Sequence, residues 1–303
     1  MAEPIEFKTT MQFAYGVPLA MAPGIVRVVA NNPSPFTFKG TNTYLLGESS
    51  LAVIDPGPDD PAHIEAVLAA AGGRPISHIF LTHTHHDHLD GLPALQARTG
   101  ARTCGYGRIA PSPGRHRTSP SGGEYVEASF SPDIVMRDGD RVSGPGWELM
   151  AVFTPGHAPD HLCFALAGSG VLFSGDHVMA WNTSVVAPPE GNMADYMRSL
   201  DRLIERRQDT LYLPGHGGRL ESPLRMVRAF RTHRQWREQA ILEAIRAGHA
   251  TIGQVAAVVY RGIDARLERA AALSVQAHVE HLIARGLVRT SGPLTPDQPL
   301  SAA

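Results

Sequence analysis

A chain of 303 residues, 43% hydrophobic and 18% charged, has the composition of a globular protein, which excludes disordered and fibrous classes. No apolar run approaches the roughly 20 residues that cross a bilayer, and the stretch up to Met21, with Glu3, Glu6 and Lys8, reads neither as a signal peptide nor as an Arg-rich transit peptide, so no membrane partner and a cytoplasmic location are expected. Net charge is −2 but unevenly spread: from Arg219 onward twelve arginines stand against seven acids, leaving the tail at about +5 and the rest at about −7.

Residues 44–47 and 51–54 flank a Glu48-Ser49-Ser50 turn and predict a hairpin. Asp60-Pro61 supplies an N-cap with Pro at the first helical position, and Gly72-Gly73 closes that helix. Residues 76–81 form an apolar strand, and 89–96 have helical spacing. Residues 101–104 are a further strand. Residues 105–132, rich in Gly, Pro and Ser, predict a long loop, either mobile or a substrate-facing lid. Strands resume at 135–136, 147–154, 161–166 and 171–174, a helix fits 193–207, and 210–213 is one more buried strand. Cys104 and Cys163 make no disulfide framework; Cys163, inside an apolar run, predicts a buried, reduced thiol.

The period turns helical near 219–223, which divides the chain into 1–220 and 221–303. Helices are expected at 223–247, from Thr251 to about Tyr260, and from about Asp264 to Arg285; residues 286–290 then enter a wing. Three helices and a short hairpin make a winged-helix pattern. A capping or dimerisation domain is the competing reading, and a homodimer is compatible with it.

The run His83-Thr84-His85-His86-Asp87-His88 follows an apolar strand and precedes a helix, where a rigid scaffold leaves side chains free to converge. Four more segments place His or Asp just past an apolar strand beside Gly or Pro: Ile54-Asp55-Pro56-Gly57, Thr154-Pro155-Gly156-His157, Ser174-Gly175-Asp176-His177 and Leu213-Pro214-Gly215-His216. Strand ends on one sheet edge are close in space, and glycine there lets the backbone approach an ion. The set predicts two metal subsites. His83, His85 and His157 hold one ion, and Asp87, His88 and His216 the other. Asp176 bridges, together with a water or hydroxide. This donor set suits two Zn2+, with Fe or Mn also compatible.

Two such cations about 3.5–4 Å apart lower the pKa of a shared water and stabilise charge on entering and departing oxygens. The expected chemistry is therefore hydrolysis of an ester-like bond by a metal-bridging hydroxide, which the free oxygen of Asp87 or Asp176 orients. No Gly-x-Ser-x-Gly elbow is present and no Ser or Cys nucleophile is needed. His161 and His177 are candidates for protonating the leaving group, with ordinary hydrogen-bonded roles the competing reading. His86 is expected to face solvent, and Asp55 to orient a ligand or cap a turn.

The ordered set His83, His85, Asp87, His88, His157, Asp176 and His216 resembles the metallo-beta-lactamase superfamily over roughly residues 22–220. The resemblance implies an α/β (α+β) fold, an αββα sandwich of two mixed sheets with helices outside. Members that hydrolyse beta-lactams usually lack an acid at the place of Asp176. The flavin-linked di-iron branch typically has Glu at the place of His85. An iron persulfide dioxygenase with a similar run stays open. With Asn32-Pro33-Ser34-Pro35, Gly40-Thr41-Asn42-Thr43-Tyr44 and the tail from His233-Arg234, the chain is similar to the lactamase-beta-like family that includes a mitochondrial endoribonuclease with a C-terminal winged-helix domain. That likeness implies cleavage of single-stranded RNA. Arg228, Arg231 and Arg234 fall at helical spacing, which suits a grip on phosphates and equally a solvated helix face. The slight overall acidity and the lack of exposed aromatics for a stacking platform weigh against RNA cleavage. The alternatives are a thioesterase or other small-molecule ester hydrolase resembling glyoxalase II, and a non-catalytic nucleic-acid-binding protein with a vestigial metal site.

Overall fold

Alternation of side chains along the strands fixes how the chain layers itself. The computed structural model describes residues 5–108 and 130–303. Its first sheet runs in chain order: β1 (Leu19–Ala22), β2 (Ile25–Val29), β3 (Asn42–Gly47), β4 (Leu51–Ile54), β5 (Ile76–Phe80), β6 (Arg102–Gly105) and β7 (Ile134–Val135). β1 to β4 pair antiparallel and β4 to β7 parallel. The crossovers carry α1 (Pro61–Ala71), then α2 (His86–Leu89) and α3 (Leu92–Thr99). The second sheet is built from β8 (Arg141–Gly144), β9 (Trp147–Phe153), β10 (Leu162–Leu166), β11 (Val171–Gly175) and β12 (Leu211–Pro214), adjacent in that order. β11 and β12 are parallel, joined through α4 (Met193–Glu205).

The inner strands feed two cores. Tyr44, Leu46, Ile54 and Phe80 of the first sheet meet Leu149, Leu162, Phe164 and Phe173 of the second in the central layer. The alternate residues Leu45, Leu51 and Val53 turn outward against Ile64 and Val67 of α1 and Leu92 and Leu95 of α3. On the other side Val152, Cys163 and Leu172 pack on Tyr196, Leu200 and Leu203 of α4. The result is the expected αββα sandwich. Both cysteines are buried and unpaired, and burial pushes each thiol up to about 12.

The tail comprises α5 (Pro223–Arg246), α6 (Ile252–Val259), α7 (Glu268–Ala284) and the antiparallel pair β13 (Val288–Thr290) and β14 (Leu300–Ala302). α5 belongs to two cores. Val227 and Phe230 join the layer that covers α4, whereas Ile241, Leu242 and Ile245 join a separate core with Val255, Val279 and Leu282. Among the described residues no helix is long and apolar enough to cross a membrane.

Two expectations change. The single helix over 89–96 is two, broken at Asp90 and Gly91. Gly91 N donates to Gly57 O at 2.8 Å, and a Cβ at Gly91 would stand 2.9 Å from the carbonyl oxygens of Pro56 and Pro58, so the close approach demands glycine. β1 and β2 extend the first sheet beyond β3, and β8 adds an edge to the second. The loop expected over 105–132 lies mostly outside the described residues.

Candidate metal centre

The strands that carry the candidate ligands end on one side of the sandwich. β5 runs into Leu81, Thr82 and His83, and His85 then caps α2, whose first turn carries Asp87 and His88. His157 follows β9, Asp176 follows β11, and His216 follows β12. Thr41, just before β3, bridges to His216 and closes the ring of segments.

The ligand atoms fall into three overlapping groups, each with all its atoms within 4.8 Å of one another: His83, His85 and His157; His83, His88 and Asp176; Asp87, His88 and His216. His85 Nδ1 lies 2.9 Å from His83 Nε2 and 3.1 Å from His157 Nε2. His216 Nε2 lies 3.2 Å from Asp87 Oδ2 and 3.1 Å from Asp176 Oδ2. Asp176 faces both halves: Oδ1 is 3.6 Å from His88 Nε2, while Oδ2 is 3.9 Å from His157 Nε2.

The outward nitrogens set the tautomers, because an imidazole that donates from one nitrogen offers a lone pair at the other. His83 Nδ1 lies 2.9 Å from Thr82 Oγ1, His88 Nδ1 2.9 Å from Asp55 Oδ2, His157 Nδ1 2.7 Å from Val185 O and His216 Nδ1 3.3 Å from Gly40 O. His85 is turned over: Nδ1 faces the cluster and Nε2 faces Glu190 Oε2 at 3.6 Å. All five rings thus present one nitrogen to a common centre. Asp55 also accepts from Thr82 N and Thr82 Oγ1, both at 2.8 Å, so one carboxylate ties the strand end to His88.

The charges agree with this arrangement. Burial, and then the imidazoles of His88, His85 and His157, push His83 well below its usual range, leaving it a neutral donor. Burial also opposes charge on His216, but Asp176 and Asp87 outweigh it and hold that ring up at about 10. His88 is raised in the same way, against burial, by Asp87, Asp55 and Asp176. Burial favours the neutral acid in Asp87 and Asp176, yet the facing imidazoles His88 and His216 hold both carboxylates low. His83 and the two carboxylates thus offer lone pairs directly, and His88 and His216 would release their protons to a divalent cation that takes their place between the carboxylates.

Two further observations fit a metal. His88 Nε2 and Asp176 Oδ1 are buried with no hydrogen-bond partner, which a buried polar atom rarely tolerates. A Cβ at Gly215 would stand 2.3 Å from Asp176 Oδ1 and 2.7 Å from His88 Cε1, so the backbone there is shaped to leave both side chains room. Asp87, with 21% of its side chain exposed, opens the cluster to solvent.

His161 and His177 lie behind the cluster, His161 against the rings of His83 and His157 and His177 against His161. Both are fully buried. His161 Nδ1 is 2.9 Å from Thr154 Oγ1, and its Nε2 accepts from Asp176 N at 3.2 Å, so the ring props the loop behind the carboxylate. His177 packs on Tyr196, with burial holding it down at about 3. Both imidazoles thus hold the hydrogen-bonded and packed positions that were the competing reading for them. His86 is exposed and pairs with Asp90 at 2.9 Å. Sequence reasoning missed Glu190, which lies in a Pro-Pro-Glu-Gly segment without any strand-end signal. It also missed Asp160, buried and accepting from Thr84 Oγ1 at 2.7 Å, although it adjoins His161.

A four-layer sandwich with a His and Asp centre at its strand ends defines a metallo-hydrolase architecture. The metallo-beta-lactamase superfamily model matches residues 36–216, and a beta-lactamase associated winged helix domain matches residues 251–293. The chain belongs to the metallo-beta-lactamase superfamily. It is 31% identical to a beta-lactamase-like protein 2 homolog of Drosophila melanogaster, over 88% of this chain and 90% of that protein. It is 31% identical to an atrochrysone carboxyl ACP thioesterase of Aspergillus fumigatus, over 74% of this chain and 66% of that one. Among solved structures, a metallo-beta-lactamase family protein from Thermus thermophilus shares the fold with a TM-score of 0.74 and 24% identity, covering 94% of this chain and all of that one. TTHA1623, solved in a di-iron-bound form, superposes with a TM-score of 0.52 at 25% identity, over 65% of this chain and 95% of its own.

Proposed function

We propose that this chain is a metal-dependent thioester hydrolase whose centre holds two divalent cations. His83, His85 and His157 would hold the first; Asp87, His88 and His216 the second; Asp176 would span both. The supporting observation is the set of five imidazoles and two carboxylates gathered into three overlapping groups, each imidazole braced from outside. When bound, a metal pair supplies an activated water and charge stabilisation at the reacting carbonyl. The imidazole-rich first subsite favours zinc, and iron or manganese also fit this donor set.

The protein's own part is orientation. Thr41 Oγ1 donates to Asp87 Oδ2 at 2.9 Å and leaves the other oxygen to accept a hydrogen bond from the attacking water. Water oxygen adds to the acyl carbon, the carbon–sulfur bond breaks, and the sulfur departs as a thiol carrying the water's proton. The thioester class is favoured by the named thioesterase relative and by the fate of the tail's arginines. Arg234 is buried, Arg231 binds Asp201, Arg285 binds Glu238, and Arg237 donates to Val259 O. Of the row Arg228, Arg231 and Arg234, two are engaged within the fold, which supports the thioester reading over a grip on phosphates.

One observation keeps single-stranded RNA as a second reading. Trp236 is 44% exposed, against the expectation that the tail lacks an exposed aromatic, and it lines a cavity of about 470 Å3 with Arg225 and Arg228. A base stacked on an indole beside two guanidinium groups is a common single-strand contact. The test loads the purified protein with zinc and assays acyl-carrier and acyl-CoA thioesters by thiol release, with labelled single-stranded RNA in parallel. We expect thiol release that His83→Ala abolishes. RNA cleavage with the same dependence and no thiol release would replace the first reading by the second.

A further inference from the structure

Arg234 is an expensive residue to bury. It lies on α5 with 3% of its surface exposed, and no carboxylate among the described residues pairs with it. A buried guanidinium without a counter-charge destabilises unless other contacts compensate, and a methionine would fill the space at lower cost. Its contacts show what it is for. Arg234 donates from Nη2 to Ser184 O, and its guanidinium carbon stands 5.2 Å from the Tyr196 ring centre.

Ser184 is a junction. Its hydroxyl donates to His177 O at 2.8 Å, and Tyr196 OH donates to the same carbonyl at 2.9 Å. His177 directly follows Asp176. The next carbonyl along, Val185 O, accepts from His157 Nδ1 at 2.7 Å and so sets the direction of His157 Nε2. One side chain from the tail helix therefore fixes the segment that aims His157 and anchors the residue beside Asp176. His83 and His88 have their outer partners within the first sheet's own strand ends and do not depend on α5.

We propose that Arg234 is a positioning residue for the metal centre: the tail helix sets the aim of His157, and through it the affinity of the subsite formed by His83, His85 and His157. This rests on the metal reading given above. It gives the tail a task inside the catalytic unit, separate from any contact with substrate.

The test uses the full chain, stripped of metal and titrated with zinc against a chromophoric chelator, and with cobalt followed by its d–d absorption. Variants are Arg234→Met, which fills the space and removes the donor, Arg234→Gln, which keeps one uncharged donor, and Arg234→Lys. Arg231→Ala, on the same helix and paired with Asp201, is the control. Wild type is expected to bind two equivalents. Arg234→Met should hold one of them roughly tenfold or more weakly, within the range for loss of a partner that orients a ligand, with a changed cobalt spectrum and an intact fold by circular dichroism. Arg234→Gln should recover part of the affinity. Equal affinity for both equivalents in wild type and Arg234→Met would overturn the proposal, and so would failure of all three variants to fold, since the residue would then serve folding alone. A wild type that binds no metal overturns the metal reading instead.

Discussion

Asp55 concentrates more of the centre's geometry than any ligand does. It is buried, holds a left-handed φ of 52°, and accepts from Thr82 N, Thr82 Oγ1 and His88 Nδ1. A non-glycine residue in that region of backbone space costs on the order of 1 kcal/mol or more and persists only where its surroundings enforce it. Here the three accepted bonds enforce it. Asp55→Asn keeps the shape but removes the charge behind His88, so metal affinity should fall by about 10–100-fold. Chelator competition on the folded protein reads this directly; unchanged affinity would show that His88 needs no anionic support. Asp55→Ala also strands the Thr82 amide, at a further cost of about 1–3 kcal/mol in a urea melt.

At the scale of elements, α7 buries a histidine among its apolar residues Val275, Val279 and Leu282. His278 is fully buried, and neither ring nitrogen has a hydrogen-bond partner. Glu238 Oε2 on α5 is 4.0 Å away, too far to bond. Burial holds His278 down at about 4, with Arg234 and His281 adding to that effect and Glu238 opposing it. The folded ring is thus neutral where the unfolded one, near 6.5, takes a proton. Stability present above pH 6.5 is lost as pH falls towards 4, by about 2 kcal/mol at pH 5. Half-buried His233 on α5, also lowered to about 4, acts in the same direction, whereas Glu238, lowered to about 2, acts only below 4.5. Urea unfolding at pH 7 and pH 5 should show the loss, and His278→Leu should shrink it. The helices were legible because capping residues and period were both present: Asp60 caps α1, Thr251 caps α6, and both side chains accept the expected backbone amide. β8 was not legible because its alternation is of exposed and half-buried residues, with no fully buried face to mark it. Glu190 escaped for a related reason, since a ligand's outer partner needs only to be near in space.

Across the whole molecule, the seven candidate ligands come from both sheets. His83, His85, Asp87 and His88 follow the first sheet's β5, while His157, Asp176 and His216 follow β9, β11 and β12 of the second. This is why the clustering of these side chains could be read from strand-end spacing, while the division at 220 could not be read as a division between cores: α5 contributes Val227 and Phe230 to one and Ile241 and Ile245 to another. A cation held between the sheets binds the folded state and not the separated strands, so it must stabilise the sandwich by mass action. At free metal 100-fold above Kd, each ion adds about 2.7 kcal/mol, which for a chain of this size is a shift of several degrees in Tm. Calorimetry with and without a chelator should therefore show a lower Tm for the stripped protein, restored by zinc. Because α5 spans both cores, the shift should carry the tail with the sandwich in one transition. A tail that melts at the same temperature whether or not metal is present would show that the two cores unfold independently, and that the helix joining them transmits no stability.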